Sequence, residues 1–364
     1  MQNNTIDFSK YNTKWAFINF NECVSDNGNE QYSIKLLHDK TYYLYQNNIF
    51  IKSSMDCNEL FLYVDTKLTE KIVCIYHKNC PDGFASAWVL NNYYKKLNQI
   101  VEFIPLSYGM ELPIIDNSRI FLLDFSFDSI EIYEQYLENN IDITIIDHHK
   151  KAIDLLRDYQ HPKLNQYLNN NYSGCVLTWS YFNNPDENIP QILKYIQDRD
   201  LYLFELPMSK ESLCVIDLWE FDFDIWDKNS DWFEKNTNSV VKKGSDILEY
   251  KQKLINKMYK KRHYCSFFGH DNILCVNSNL PEIDSEVAEM LYNDDLGRFS
   301  IIYHIGTDGI KISLRSKSLV GMDVNEIAKR FCGGGHKHAS GCSIPWNNLA
   351  FIKCFLESFK PIER

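Results

Sequence analysis

Ile141-Asp142-Ile143-Thr144-Ile145-Ile146-Asp147-His148-His149 decides the fold of this chain. A nearly continuous β-branched run that breaks off in one acid and two imidazoles reads as a strand covered on both faces that ends at a chemical site. Upstream, Ile120-Phe121-Leu122-Leu123 ends at Asp124, and Ile72-Val73-Cys74-Ile75-Tyr76 ends at His77. Between these runs, 84–97 and 129–138 have helical spacing. Strand and helix in alternation predict an α/β fold with a parallel sheet. In such sheets the ligand site lies at the carboxyl ends of the strands. Three separate runs therefore deliver His77, Asp124, Asp147, His148 and His149 to one rim.

Working outward, Ser173-Gly174-Cys175-Val176-Leu177-Thr178-Trp179 reads as a helix with Ser173 as its N-cap. Ile192-Leu193-Lys194-Tyr195-Ile196 leads into Gln197-Asp198-Arg199-Asp200, a second source of carboxylates for the same rim. Residues 244–264 read as a long lysine-rich helix, taken as a linker. A smaller mixed α/β domain follows. It has a helix over 281–292, strands over 299–305 and 310–316 joined around Asp308-Gly309, and a helix over 324–331 opened by Asp323 and ended by Cys332-Gly333-Gly334-Gly335. The domain reading is 1–70 as an extension without visible chemistry, 71–205 as the catalytic domain, 206–265 as a helical linker and 266–364 as the second domain. In the extension, 41–45 and 61–64 look like short strands, a small appendage or edge strands of the next domain.

The 364 residues suffice for two domains. Net charge is −11 and the pI about 5.4, which excludes a broad basic surface for long duplex DNA but leaves short oligonucleotides or nucleotides open. Eleven cysteines without a regular framework fit reduced thiols. There is no long apolar run and no basic-then-apolar start. A cytoplasmic chain without a membrane span is the expectation.

Carboxylates and imidazoles on one rim suit two divalent metals, with Asp124, alone at a strand end, as the natural bridge between them. Mixed oxygen and nitrogen ligands suit manganese best and admit zinc, iron or cobalt. Singly, an Asp after a strand is a common turn former. Three such residues on successive strand ends are not explained that way. The glycine triplet lets backbone N–H groups turn toward a ligand and form a nest for phosphate or carboxylate, with His336 and Arg315 beside it. A plain helix stop would need only one glycine. Cys332, His336, His338 and Cys342 have zinc-ligand chemistry, but their spacing is cramped. The stretch 219–232 is aromatic and acidic, and core packing is preferred there over base stacking.

His77-Lys78-Asn79-Cys80-Pro81-Asp82-Gly83, Leu123-Asp124, Asp147-His148-His149 and Asp198-Arg199-Asp200, in that order, resemble the four motifs of the DHH phosphoesterase superfamily. Arg315-Ser316 with Gly333-Gly334-Gly335-His336-Lys337-His338-Ala339-Ser340-Gly341 resembles its associated C-terminal substrate domain, in the GGGH form of the nano-RNase-like members. The likeness covers about 71–345, and the type of second domain separates it from the superfamily's pyrophosphatases. The resemblance implies two Mn2+ ions held by His77, Asp82, Asp124, His148 and the fourth motif, where Asp198 is preferred and Asp200 stands second. It places His149 beside the reacting phosphate, with Asp124 and Asp82 in the catalytic set. Asp147 either orients the imidazole pair or binds metal itself. Arg315, Ser316, Gly333, Gly334, Gly335 and His336 would bind substrate. One departure stands out: many members have two aspartates in the first motif, and here Asn79 and Cys80 precede a single Asp82. The first metal is then held more weakly, or is completed by Asn79, Cys80 or water.

The function implied is metal-dependent hydrolysis of phosphodiester bonds in short oligonucleotides. Within the class, a cyclic dinucleotide phosphodiesterase or a phosphatase for bisphosphorylated adenosine are the alternatives. Outside it stands a nucleotide- or RNA-binding module with a decayed metal site.

Overall fold

In a computed structural model of the chain, the described residues are 15–19, 22–25, 32–36, 42–46, 49–54, 59–60, 70–184, 187–294, 298–317 and 321–361. They divide into two compact units, Met1–Lys242 and Lys243–Arg364.

The first unit opens with a five-stranded antiparallel meander: β1 (Trp15–Asn19), β2 (Glu22–Ser25), β3 (Tyr32–Leu36), β4 (Tyr42–Gln46) and β5 (Ile49–Ser54), paired in sequence order. Among the described residues, the strands of the amino-terminal segment form a sheet of their own, and none of them pairs with the next sheet. The strand expected at 61–64 lies outside the described residues.

The second sheet carries the site. Its order is β10-β9-β8-β6-β7, and every pair is parallel. The three expected strands are its centre: β6 (Lys71–His77), β8 (Ser118–Leu123) and β9 (Asp142–Asp147). Two flanking strands escape the apolar-run criterion because they are half exposed: β7 (Val101–Leu106) and β10 (Leu164–Leu168). The central strands lack polar alternation because both faces are covered. Val73, Ile75, Ile120, Leu122, Ile143 and Ile145 pack with Tyr133, Tyr136 and Leu137 of α2 (Ile130–Asn139). On the other face Phe121 meets Tyr94 of α1 (Pro81–Lys96) and Phe182 of α4 (Gly174–Phe182), with ring centroids 5.9 and 5.6 Å apart. Between these helices comes α3 (Lys150–Leu156).

Much of the expected linker belongs to this unit. After α5 (Gln191–Asp200), the helices α6 (Ser209–Ile216) and α7 (Phe223–Lys235) bring an aromatic run onto α1. Phe84 stacks on Phe221 and Phe223 and meets Trp226 edge-on. Trp226 is fully buried, and Trp88 Nε1 donates to Asp227 Oδ1 at 2.8 Å. Burial of these large rings, which bring the most apolar area per residue, ties 219–233 to the first unit. α8 (Thr237–Tyr259) carries the chain across the boundary between the units.

The second unit is a six-stranded mixed sheet ordered β11-β12-β13-β14-β16-β15. Its elements are β11 (His263–Phe267), β12 (His270–Asn277), α9 (Pro281–Asp294), β13 (Phe299–Ile305), β14 (Gly309–Ser316), α10 (Val324–Lys329), β15 (Gly334–His336), β16 (Ala339–Pro345) and α11 (Leu349–Glu357). Asp323 caps α10 by accepting from the N–H groups of Asn325 and Glu326. Among the described residues no helix is long and apolar enough to cross a membrane.

Leu122 is fully buried at the centre of the parallel sheet. Leu122→Ala should cost about 2–5 kcal/mol through lost burial and a residual cavity. Urea unfolding followed by tryptophan fluorescence reads it selectively, since Trp346 is the one tryptophan outside the first unit.

Candidate active site

Register builds the rim. Tyr76 pairs with Leu123 and Leu123 with Ile146, so the next residues, His77, Asp124 and Asp147, stand side by side at the carboxyl edge. Neighbouring strands are about 4.8 Å apart, a spacing that lets side chains from adjacent strands share a cation. Asp124 has φ 52°, a left-handed conformation that aspartate tolerates better than most L-residues. Its N–H still donates to Ile146 O at 3.0 Å, so the chain turns without leaving the sheet.

The two oxygens of Asp124 face different strands. Oδ1 lies 3.1 Å from His148 Nε2, and Oδ2 lies 3.4 Å from His77 Nδ1. The first contact is a hydrogen bond. In the second, both atoms are buried and neither makes one. Asp124 is 1% exposed. Burial alone would raise its pKa, but His148, His77 and His149 outweigh burial and hold the carboxyl well below the usual range.

Asp82 sits on the first turn of α1 and is equally buried. Its Oδ2 accepts from Gly174 N at 2.6 Å and its Oδ1 from Cys175 N at 3.0 Å. The carboxylate of Asp82 thus caps α4, where Ser173 makes no side-chain cap bond. A charge on the open N–H groups of a helix start is favourable and joins two helices over the sheet. The packing admits no Cβ at Gly174, which would lie 2.7 Å from Asp124 Cβ and 3.0 Å from Asp82 Oδ2. Gly83 is confined in the same way by His77, whose carbonyl oxygen would lie 2.4 Å from an added Cβ.

His148 Nε2 also approaches Asp200 Oδ2 at 3.4 Å and Asp82 Oδ2 at 3.8 Å. Burial disfavours its charge, yet the surrounding aspartates, Asp124 first, raise its pKa to about 9. Asp200 is pushed up to about 7 by burial and by the charge of Asp82. Burial and Asp124 also raise Asp82. Asp198 is not among the converging residues: its Oδ1 accepts from Glu205 N at 2.9 Å and its Oδ2 from Leu206 N at 3.3 Å. It fastens the turn after α5, while Asp200, two residues on, reaches the site.

Asp147 is fully buried behind the imidazoles. Its Oδ1 accepts from the N–H groups of His148 and His149 and lies 2.7 Å from His149 Nδ1, while Ser126 Oγ donates to Oδ2. With its acceptors taken, Asp147 orients His149 and leaves the other ring nitrogen for a ligand. Burial lowers the pKa of His149, but Asp147 outweighs it and the net shift is upward. Among the described residues, three sets of donor atoms lie close enough to hold a cation: His77, Cys80 and Asp124; Asp82, His148 and Asp200; and Asp124, Asp147, His148 and His149.

Three residues here escape sequence reading. Ser126 had no signal, because it follows the left-handed turn at Asp124 and its partner, Asp147, is 21 residues away in sequence. Gly174 looked like part of an ordinary helix start. Tyr108 had no signal; it stacks on Phe125 and lies edge-on to His77 and His149, with centroids 5.9 and 6.4 Å away.

In the second unit the glycine triplet forms no nest. Gly334–His336 is an edge strand antiparallel to β16, and the left-handed residue after α10 is Cys332, at φ 54°. A Cβ at Gly333 would lie 2.2 Å from Gly341 O, and one at Gly335 2.5 Å from Ala339 O. Both glycines are required by strand packing. Gly334 faces open space. Ser316 is buried, its hydroxyl engaged by Met322 O and His338 Nδ1 at 2.6 and 2.9 Å. Arg315 is half-buried beside Asp284, and burial lowers its pKa. The side chain of His336 lies outside the described residues. Cys342 is buried in the core and His338 is held by Ser316, so the two do not offer a zinc site.

Residues 71–198 match the family model described as DHH family, N-terminal domain, and residues 278–360 that described as DHHA1 domain. An uncharacterized protein of Acanthamoeba polyphaga mimivirus is 31% identical over 287 residues, 74% of this chain and 66% of that protein, so the chain spans just under two-thirds of this relative. Among solved structures, a pGpG-specific phosphodiesterase of Vibrio cholerae is 13% identical, with 78% of this chain and 96% of that one covered and a TM-score of 0.43. RecJ in complex with Mn2+ from Thermus thermophilus is 12% identical, with 80% and 52% covered and a TM-score of 0.42. The strand ends that form the rim fall within the first matched domain and the glycine-bearing strand β15 within the second, and the chain belongs to the DHH phosphoesterase superfamily.

Proposed function

We propose that this chain is a divalent-metal-dependent hydrolase of phosphodiester bonds in short oligonucleotides. The observation that carries the reading is Asp124, whose two oxygens face imidazoles from two different strands, as a carboxylate shared by two cations must. The donor set fits such cations. His77 Nδ1 and Asp124 Oδ2 are buried without hydrogen bonds, and Asp82, Asp124 and Asp200 crowd together with imidazoles as their only near countercharges among the described residues. His77 and Asp124 would hold one ion, and Asp124, His148, Asp82 and Asp200 the other. Bound there, divalent ions supply Lewis acidity, which makes water a better nucleophile and offsets phosphate charge.

The protein's own groups do the rest. Asp147 and Ser126 fix the ring of His149. Asp147 favours the imidazolium, so His149 can donate a proton to a phosphate or leaving oxygen. The edge of Tyr108 walls the site beside it. In the second unit Arg315 offers a bidentate donor for a phosphate, and Gly334 leaves room for a close approach to the backbone. The net charge of −11 favours small substrates over long duplexes. A cyclic dinucleotide and a bisphosphorylated adenosine are the other substrates to assay. A binding module with a decayed site rested on the missing first aspartate, and the convergence of His77, Cys80 and Asp124 speaks for the hydrolase instead.

Incubated with di- to pentanucleotides and Mn2+, the full chain should release mononucleotides, and chelation should abolish the release. Absence of hydrolysis across short RNA, short DNA, cyclic dinucleotides and bisphosphorylated adenosine would overturn the reading. Asn tolerates the left-handed backbone at 124, so Asp124→Asn isolates the charge and should lower kcat by about 100-fold or more. Asp200→Asn should do likewise, and Asp198→Asn should act mainly on stability. Activity retained in Asp200→Asn but lost in a folded Asp198→Asn would exchange their roles.

The glycine triplet separates by packing. Gly335→Ala should destabilise the second unit. Gly334→Ala should leave its melting unchanged while raising KM for the oligonucleotide. Equal KM for Gly334→Ala and wild type would remove this strand from substrate recognition.

A further inference from the structure

The residue before Pro81 offers a chemistry that the rest of the rim lacks. Sγ of Cys80 lies with His77 Nδ1 or Nε2 and a carboxylate oxygen of Asp124 in a set whose atoms are all within 4.8 Å of one another. Two of the groups in this corner are short of partners: His77 Nδ1 and Asp124 Oδ2 are buried and make no hydrogen bond. Asp82, the other carboxylate of this motif, groups with His148 and Asp200 and not with His77. Asn79 is exposed. Cys80 occupies the N-cap of α1 in an extended conformation and makes no side-chain cap bond. Burial and the nearby Asp124 and Asp82 raise the pKa of its thiol in the metal-free chain, so the thiolate would form only against a bound cation.

We propose that the Cys80 thiolate is a ligand of the first cation, with His77 and Asp124, and that this makes the site selective for thiophilic divalent ions. The inference rests on the metal-dependent reading above. On binding, the sulfur–metal bond forms as the thiol proton leaves to solvent. A nitrogen, sulfur and oxygen set suits Co2+, Zn2+ or Fe2+, whereas the second set, of carboxylates and one imidazole, remains suited to Mn2+. The chain thus holds two unlike metal positions joined by Asp124.

Co2+ added anaerobically to the full, metal-stripped chain tests this by absorption. Wild type should develop a near-ultraviolet sulfur-to-cobalt charge-transfer band that saturates with one equivalent. Cys80→Ser, checked by circular dichroism for an intact fold, should lose the band and bind the first Co2+ at least about 10-fold more weakly, the loss that removing even an outer partner of a metal ligand causes. Cys80→Asp should bind two ions and prefer Mn2+. Serine replacement of the exposed Cys332 and Cys354 should leave the band in place. No band in wild type, or a band that survives Cys80→Ser, overturns the proposal. A band lost with Cys80→Ser in a chain that cleaves no phosphodiester upholds the ligand and overturns the hydrolase. Hydrolysis without a band does the reverse.

Discussion

A carboxylate 1% exposed at the end of a β-strand is costly to bury, and Asp124 remains ionised only because imidazoles stand on either side of it. Most of the surrounding construction follows from keeping that charge in place. The parallel register sets His77, Asp124 and Asp147 in a row. The left-handed turn at Asp124 lets the chain leave the strand within one residue. There is no room for a Cβ at Gly174 or Gly83 because the first turns of their helices press against Asp124 and His77.

The same need explains how labour is divided among the acids. Asp147 spends its acceptors on His148, His149 and Ser126, which makes it a support for the two imidazoles. Asp82 spends its acceptors on the start of α4, so it ties helix to helix while turning one edge toward His148. Asp198 holds a turn. That leaves Asp124 and Asp200 as the acids with the freest oxygens, and burial beside Asp82 is what raises Asp200 to about 7. Identical side chains within a few ångströms take different roles according to which backbone N–H groups reach them first.

Legibility in the sequence followed the same physics. The central strands could be read because burial on both faces leaves an unbroken apolar run. β7 and β10 could not, since half-exposed parallel strands lack both the run and a clean alternation. The strand-end motif was visible at His77, Asp124 and Asp147-His148-His149 because strands bring their last residues to one edge whatever the loops do. The stretch 206–242 read as a linker because its aromatics have no strand pattern. Only their packing on Phe84 and Trp88 shows that they belong to the first unit.

By itself, then, the sequence carried the α/β architecture, the rim on which the acids and imidazoles gather, and the DHH and DHHA1 domain pairing. The first two depend on periodicity, which is local, and the third on the resemblance of short motifs, which are local too. The approach of Asp200, and not Asp198, to His148, the second use of Asp82 as a cap, the strand in place of a nest at Gly334–His336 and the closeness of Cys80 to Asp124 arise only in the tertiary structure. Each turns on which donor lies within hydrogen-bonding or ligand distance of a given oxygen or sulfur. Residues far apart in sequence supply those donors, and no spacing along the chain encodes that distance.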